Sequence, residues 1–120
     1  DATNPSPTLY IGGETRPKYN GNKLGVYTLV VDDSNQTELH NGKPSYLHES
    51  GKYHLYYTLD VGVSGHGWLI SDFKGDRSAF VKIEQDVDLP ELITEPLYTT
   101  DGFTWIVMNG ISIVPFTEGI

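Results

Sequence analysis

The sequence predicts an all-β protein, a single-domain antiparallel sandwich or small barrel of about 7–9 short strands. Three observations predict it. Short runs rich in β-branched and aromatic residues recur along the chain. Clusters of Gly, Asn, Asp and Pro punctuate them. No long segment carries the 3.6-residue apolar period of a helix. The 120 residues set a single domain over 1–120, and a chain of that length buries roughly two thirds of the surface it exposes unfolded.

Residues 1–24 hold three prolines and three glycines, so they are expected to be mostly extended, with one short strand at Thr8 to Ile11. Gly25 to Val31 is a strand, stopped by Asp32-Asp33-Ser34-Asn35. Asn41-Gly42 is the strongest local signal. The pair accepts the positive φ angles of a type I′ turn, with Thr37-Glu38-Leu39 and Pro44-Ser45-Tyr46-Leu47 as its arms. Pro44 donates no backbone hydrogen bond, which places it at a strand edge or start.

After a turn at Ser50-Gly51, Lys52 to Leu59 alternates most clearly. Tyr53, Leu55, Tyr57 and Leu59 are expected inward; His54, Tyr56 and Thr58 point the other way, half exposed. A glycine-rich connection from Val61 to Gly67 leads to a short buried strand, Trp68 to Ser71. Asp72 to Asp76 is a further turn, and Ser78 to Glu84 alternates again, with Ala79, Val81 and Ile83 opposite Phe80 and Lys82. Asp86 to Pro96 breaks the pattern and suits one helical turn, with Asp88 as its cap and Pro90 in the first turn. Thr104 to Met108 and Ile111 to Val114 close the chain as a second hairpin through Asn109-Gly110.

Charge limits the partners. Eight Lys plus Arg against sixteen Asp plus Glu give −8. That excludes phosphate-backbone binding to nucleic acid, which needs a basic surface. No apolar run is long enough for a membrane-spanning helix. Cysteine is absent, which excludes thiol nucleophiles, thiolate metal sites and disulfides. The opening Asp1-Ala2-Thr3-Asn4-Pro5 fits a mature secreted N-terminus and the cut edge of a larger protein equally well. Asn35-Gln36-Thr37 matches the glycosylation acceptor pattern in an expected exposed loop. The acidic, lysine-poor, tyrosine-rich composition fits an extracellular or secreted protein.

Chemistry-bearing residues are scattered. His48 and His54 flank the Ser50-Gly51 turn, and opposed strands bring directly paired residues to about 5 Å. No HxH or HExxH spacing accompanies them. His66 lies between two glycines, two residues after Ser64, but that is not a nucleophile elbow. Asp86 and Asp88, near Glu84, Glu91 and Glu95, are the weak candidates for calcium, which takes oxygen ligands. The aromatics are the better lead. Trp68, Trp105, Tyr46, Tyr98 and Phe103 are platform candidates, with both tryptophans expected to be largely buried. Flat rings on a sheet supply a large contact area at low entropic cost.

Leu39-His40-Asn41-Gly42-Lys43-Pro44-Ser45-Tyr46, then Tyr53 to Tyr57, then Gly67 to Ser71 resembles a loosely defined β module of extracellular multidomain proteins. Its outline is N-G-[RK]-P-x-Y, L-Y-Y and W-x-I. Ala79 to Lys82, Asp88-Leu89-Pro90 and Phe103-Thr104-Trp105 continue it, so the likeness covers roughly residues 25 to 114. Ser45 departs from the apolar residue more usual there. The resemblance implies a display or binding unit outside cells and carries over no catalytic residue.

The functional expectation is a non-catalytic binding module that meets a glycan or protein surface through Tyr46, His54, Tyr56 and His66. It needs no cofactor. Two alternatives are a small hydrolase using paired carboxylates or His66, and a calcium-stabilised structural domain using Asp86 and Asp88.

Overall fold

The computed structural model describes residues 5–13, 17–59, 65–74 and 79–116. Ser64, and with it the Ser64–His66 pairing, lies outside the described residues, as do the end of the turn after Asp72 and the start of the strand expected at Ser78.

The strands are β1 (Thr8–Gly12), β2 (Gly25–Leu29), β3 (Leu39–His40), β4 (Lys43–Pro44), β5 (Tyr46–His48), β6 (His54–Thr58), β7 (Gly67–Ser71), β8 (Val81–Ile83), β9 (Leu97–Thr100), β10 (Trp105–Met108) and β11 (Ser112–Pro115). Nine of them form one antiparallel sheet, ordered β10-β9-β8-β7-β6-β5-β2-β1-β11, while β3 and β4 pair separately. The large sheet curls into a half-barrel, so the barrel alternative holds, and among the described residues there is no second stacked sheet of comparable size. From β5 to β10 each strand pairs with the next in sequence, a meander that needs only short turns.

The turn of the β3–β4 hairpin forms as read: Asn41 and Gly42 take φ 54° and 83°, the two left-handed residues a type I′ turn demands. Its arms are shorter than expected, Leu39–His40 against Lys43–Pro44, because Tyr46 and Leu47 pair with β2 and β6 in the large sheet. The second expected hairpin does not form. Gly110 has φ 77° but Asn109 has no positive φ, so the I′ geometry is not met. β10 pairs with β9 and β11 with β1, and Asn109-Gly110-Ile111 instead links the two free edges of the sheet. Three residues span little more than 10 Å even when extended, so the link ties the edges together at one end and enforces the curl.

The concave face holds the core. Leu9, Ile11, Tyr27, Tyr46, Leu55, Tyr57, Trp68, Ile70, Val81, Ile83, Leu97 and Ile113 form one buried cluster. The acidic segment between β8 and β9 lies over it, and Val87 and Ile93 pack against the cluster. Trp68 Nε1 donates to the Val87 carbonyl at 3.1 Å. The Gln85 side chain closes the segment on itself by accepting from the Thr94 and Glu95 N–H groups, each at 2.8 Å. Its 3-10 turn, Pro90–Leu92, has Pro in the first turn as expected, but the cap position is Leu89, with no side-chain cap. Asp88 is drawn away by Lys43, 2.9 Å distant.

Alternation places Leu55 and Tyr57 inward as expected. Tyr53 is only partly buried, and Leu59 is exposed because β6 ends at Thr58. On the convex face Tyr56 and Leu69 form a small second cluster with Ala79. Strands β6 and β7 are thus covered on both faces, which is why Gly67 to Ser71 is buried throughout. The expected opposition of Ala79 and Phe80 to their neighbours fails one step before β8: Ala79 joins the convex cluster while Phe80 packs on the core.

Gly13 lies against the edge-linking turn. A Cβ there would collide with the Gly110 carbonyl and press on the Ile111 side chain. Gly13→Ala is therefore expected to lower stability by about 1–3 kcal/mol, the range for overpacking a fixed contact, read from urea denaturation. No loss would mean that the link between the edges yields freely.

Candidate functional site

Two of the four expected contact residues are sealed. Tyr46 is 0% exposed on the concave face, and its hydroxyl donates to the Ser6 carbonyl at 2.7 Å. Burial, with the Glu91 charge nearby, pushes that hydroxyl well above the ordinary tyrosine pKa. Tyr56 faces the convex side as read but is 1% exposed. The β3–β4 hairpin folds over it and brings the His40 ring edge-on at 5.1 Å. Ser71 Oγ donates to the Phe73 carbonyl at 2.7 Å, so at 3.0 Å Tyr56 is the donor to Ser71. Period-two reading assigns a face; it does not see a hairpin folded onto that face.

His48 and His54 do not meet. His48 is buried on the concave side, between Ser50 Oγ at 2.8 Å and the Leu24 carbonyl at 2.7 Å. His54 stands opposite Leu47 and Ser71 on the convex side.

His66 joins a rim cluster. The Tyr57 hydroxyl donates to Asp86 Oδ1 at 2.7 Å and lies 3.0 Å from His66 Nδ1. Since tyrosine has one proton to give, His66 Nδ1 is the donor in that contact, and it also stands 3.6 Å from Asp86 Oδ2. Burial and the Asp86 hydrogen bond raise Tyr57 to about 12. Lys43 Nζ stands 4.7 Å from the Tyr57 ring centre and pairs with Asp88. Asp86 and Asp88 are thus engaged separately, one by Tyr57 and one by Lys43. Calcium takes six to eight oxygens, and among the described residues no three His, Asp or Glu side chains gather to hold a metal. The open groove of about 390 Å³ beside the Lys43–Asp88 pair is lined by Leu39 and Leu89 but not by Tyr57, His66 or Asp86. The acid–base chain therefore does not sit in that groove.

The accessible aromatic surface lies further along the convex face. Lys82, Tyr98 and Val107 occupy one cross-strand row on β8, β9 and β10. Trp105 shares that face two residues before Val107 and is 40% exposed. Its expected burial fails because β10 is an edge strand and the core lies under the other face. Lys82 Nζ stands 4.8 Å from the Trp105 ring centre and 6.0 Å from that of Tyr98, cation–π distances, and 3.2 Å from Glu84 Oε2. In the turn before β10, the Asp101 carboxylate accepts from the N–H groups of Phe103 at 2.8 Å and Thr104 at 2.9 Å. These bonds hold its pKa below the ordinary value and leave Phe103 projecting, 93% exposed.

Sequence reasoning named Trp105, Tyr98 and Phe103 as platform candidates and missed Lys82. The signal was present: Lys82 is the single polar residue inside Val81-Lys82-Ile83, so it had to face outward.

A second polar group lies on the convex face around β6. Lys74 Nζ donates to Ser45 Oγ at 3.3 Å and stands 3.6 Å from Glu38 Oε1. Burial, and then the Lys74 charge, lower the pKa of both His40 and His54.

Comparison with known protein families, curated proteins and solved structures finds no match.

Both histidines titrate below 6.5 in the fold, so the unfolded chain takes up protons first as pH falls. Their contribution is nil well above pH 6.5 and turns destabilising as pH drops through 6.5 toward the folded values. The melting temperature of a His40→Gln/His54→Gln variant should therefore fall less than that of the parent chain between pH 7.5 and 5.5. Parallel profiles would remove these two groups as the source.

Proposed function

We propose that this protein is a non-catalytic extracellular binding module that recognises a glycan through the convex face of β8–β10. The observation that supports the reading is the half-exposed Trp105 beside Tyr98, with the Lys82 ammonium and Glu84 carboxylate at its rim. A flat ring offers a sugar's C–H face a dry contact, while adjacent charged groups offer hydrogen bonds to hydroxyls. The platform is preorganised: Trp105 and Tyr98 ride on paired strands, and the cation fixes both rings. The acidic, lysine-poor composition supports a place outside the cell.

A protein surface is the second reading, favoured by one feature of the same strand. β10 is a sheet edge without charge or proline among Trp105, Ile106, Val107 and Met108, the kind of edge to which another strand adds.

Screening on a glycan array separates the two. Trp105→Ala should lower affinity for the captured glycan at least tenfold, about 1.4 kcal/mol, with little change in melting temperature because the ring is half exposed. Ile106 lies on the concave side of the same strand, opposite Thr99, so Ile106→Thr should leave glycan retention intact. An array on which no glycan is retained, or retention indifferent to Trp105→Ala, defeats the glycan reading.

A further inference from the structure

We propose, resting on the glycan reading above, that the glycan is acidic, a sugar chain bearing carboxylate or sulfate groups. It runs from the Trp105 platform into a groove walled by Tyr19 and Phe80, where Lys18 and Lys23 meet its charges. The groove holds about 400 Å³ at the end of β9, with Thr100 in its lining, a volume within the range of ligand sites. Thr100 stands directly opposite Trp105 on the neighbouring strand. Directly paired residues share a face and lie about 5 Å apart, so groove and platform form one continuous surface.

The groove wall is fixed in place. Asn20 Nδ2 donates to Thr99 Oγ1 at 2.8 Å and to the Thr100 carbonyl at 3.0 Å. These bonds clamp the segment that carries Tyr19 onto the end of β9. Asp101 is the one acidic residue in the lining. Its carboxylate is held by its own turn, through the N–H groups of Phe103 and Thr104.

Local charge selects the ligand. Lys18 Nζ stands 5.4 Å from the Tyr19 ring centre, and Lys23 Nζ stands 4.4 Å from that of Phe80. Lys43, Lys74 and Lys82 each pair with a carboxylate, whereas Lys18, Lys23 and Lys52 have no such partner among the described residues. Two of the three lysines without an acidic partner thus stand at rings that wall the groove. Lys18 is exposed, and Lys23 Nζ donates only to the neutral Asn22 Oδ1, at 3.2 Å. The chain carries −8 overall, but at physiological salt the screening length is about 8 Å. A bound glycan therefore responds chiefly to these two ammonium groups. A uronate or a sugar sulfate engages them by charge-assisted hydrogen bonds, while the rings take the C–H face of the same sugar.

The test is an array carrying acidic and neutral glycans, followed by titration of the chain retained best. Acidic glycans should be retained over neutral ones of equal length. Raising salt from about 0.01 to about 0.1 M cuts the screening length from about 30 to about 10 Å and should weaken binding severalfold. Lys18→Gln/Lys23→Gln should weaken it by about tenfold or more. Lys18→Gln alone, at an exposed position, should weaken it severalfold with no change in melting temperature. Lys52→Gln should change nothing. Tyr19→Ala should weaken longer chains more than disaccharides, because only a longer chain reaches the groove. Binding lost on carboxyl reduction of the glycan identifies a uronate; binding lost on desulfation identifies a sugar sulfate. Retention of neutral glycans that depends on Trp105 but not on Lys18 or Lys23 overturns this inference and leaves the platform standing. Unchanged affinity for an acidic glycan in both lysine variants overturns it equally. An array that retains nothing defeats the platform and this inference together.

Discussion

The concave face of a half-barrel has to be filled, and a curled sheet of short strands does not fill it alone. Here the segment between β8 and β9 is laid over that face and anchored by the Trp68 indole N–H on the Val87 carbonyl. Trp68 is 0% exposed and sits edge-on to Tyr57 at 5.5 Å, so one side chain ties the sheet centre to its cover. The same segment brings Asp86 to the Tyr57 hydroxyl and Asp88 to Lys43. Asp86 and Asp88 are thereby explained by packing: each holds the segment over the core through a different partner. From the N-terminal side, Ser6 donates to the Glu91 carboxylate through its N–H at 3.1 Å and its hydroxyl at 2.6 Å, which fastens the segment again.

Curvature also sorts the convex face into covered and open parts. Over β6 and β7 the β3–β4 hairpin and Ala79 close on Tyr56 and Leu69. The cover brings polar groups with it, among them Glu38 and the Lys74 that pairs with it. Toward β10 nothing among the described residues covers the sheet, and aromatic residues there stay accessible. Trp68 and Trp105 make the contrast plain. Both lie in short apolar strands, but one is in the sheet centre facing the core and the other is on an edge facing out.

Much of the fold was legible because it rests on local chemistry. The Asn41-Gly42 turn, the strand at Thr8, the alternation of Leu55 and Tyr57, and the burial of Trp68 each follow from residues within a few positions. The closing hairpin was misread because Asn-Gly marks a chain reversal without saying which strands pair across it. The candidate site was legible only in part. Tyr98, Trp105 and Phe103 stood among the platform residues, but Tyr46 and Tyr56 were given surface roles that burial denies them. An aromatic residue with a polar tip serves a core and a binding surface equally well, and only the location of its neighbours separates the two.

By itself the sequence determined the strand-rich character, the positions of most turns and the acidic balance, because backbone preference, side-chain alternation and charge are properties of short segments. The tertiary structure alone decided which outward faces were covered, which strands became edges and which distant side chains converge. Those outcomes depend on the direction and completeness of the curl, a collective property of nine paired strands that no single stretch of residues encodes.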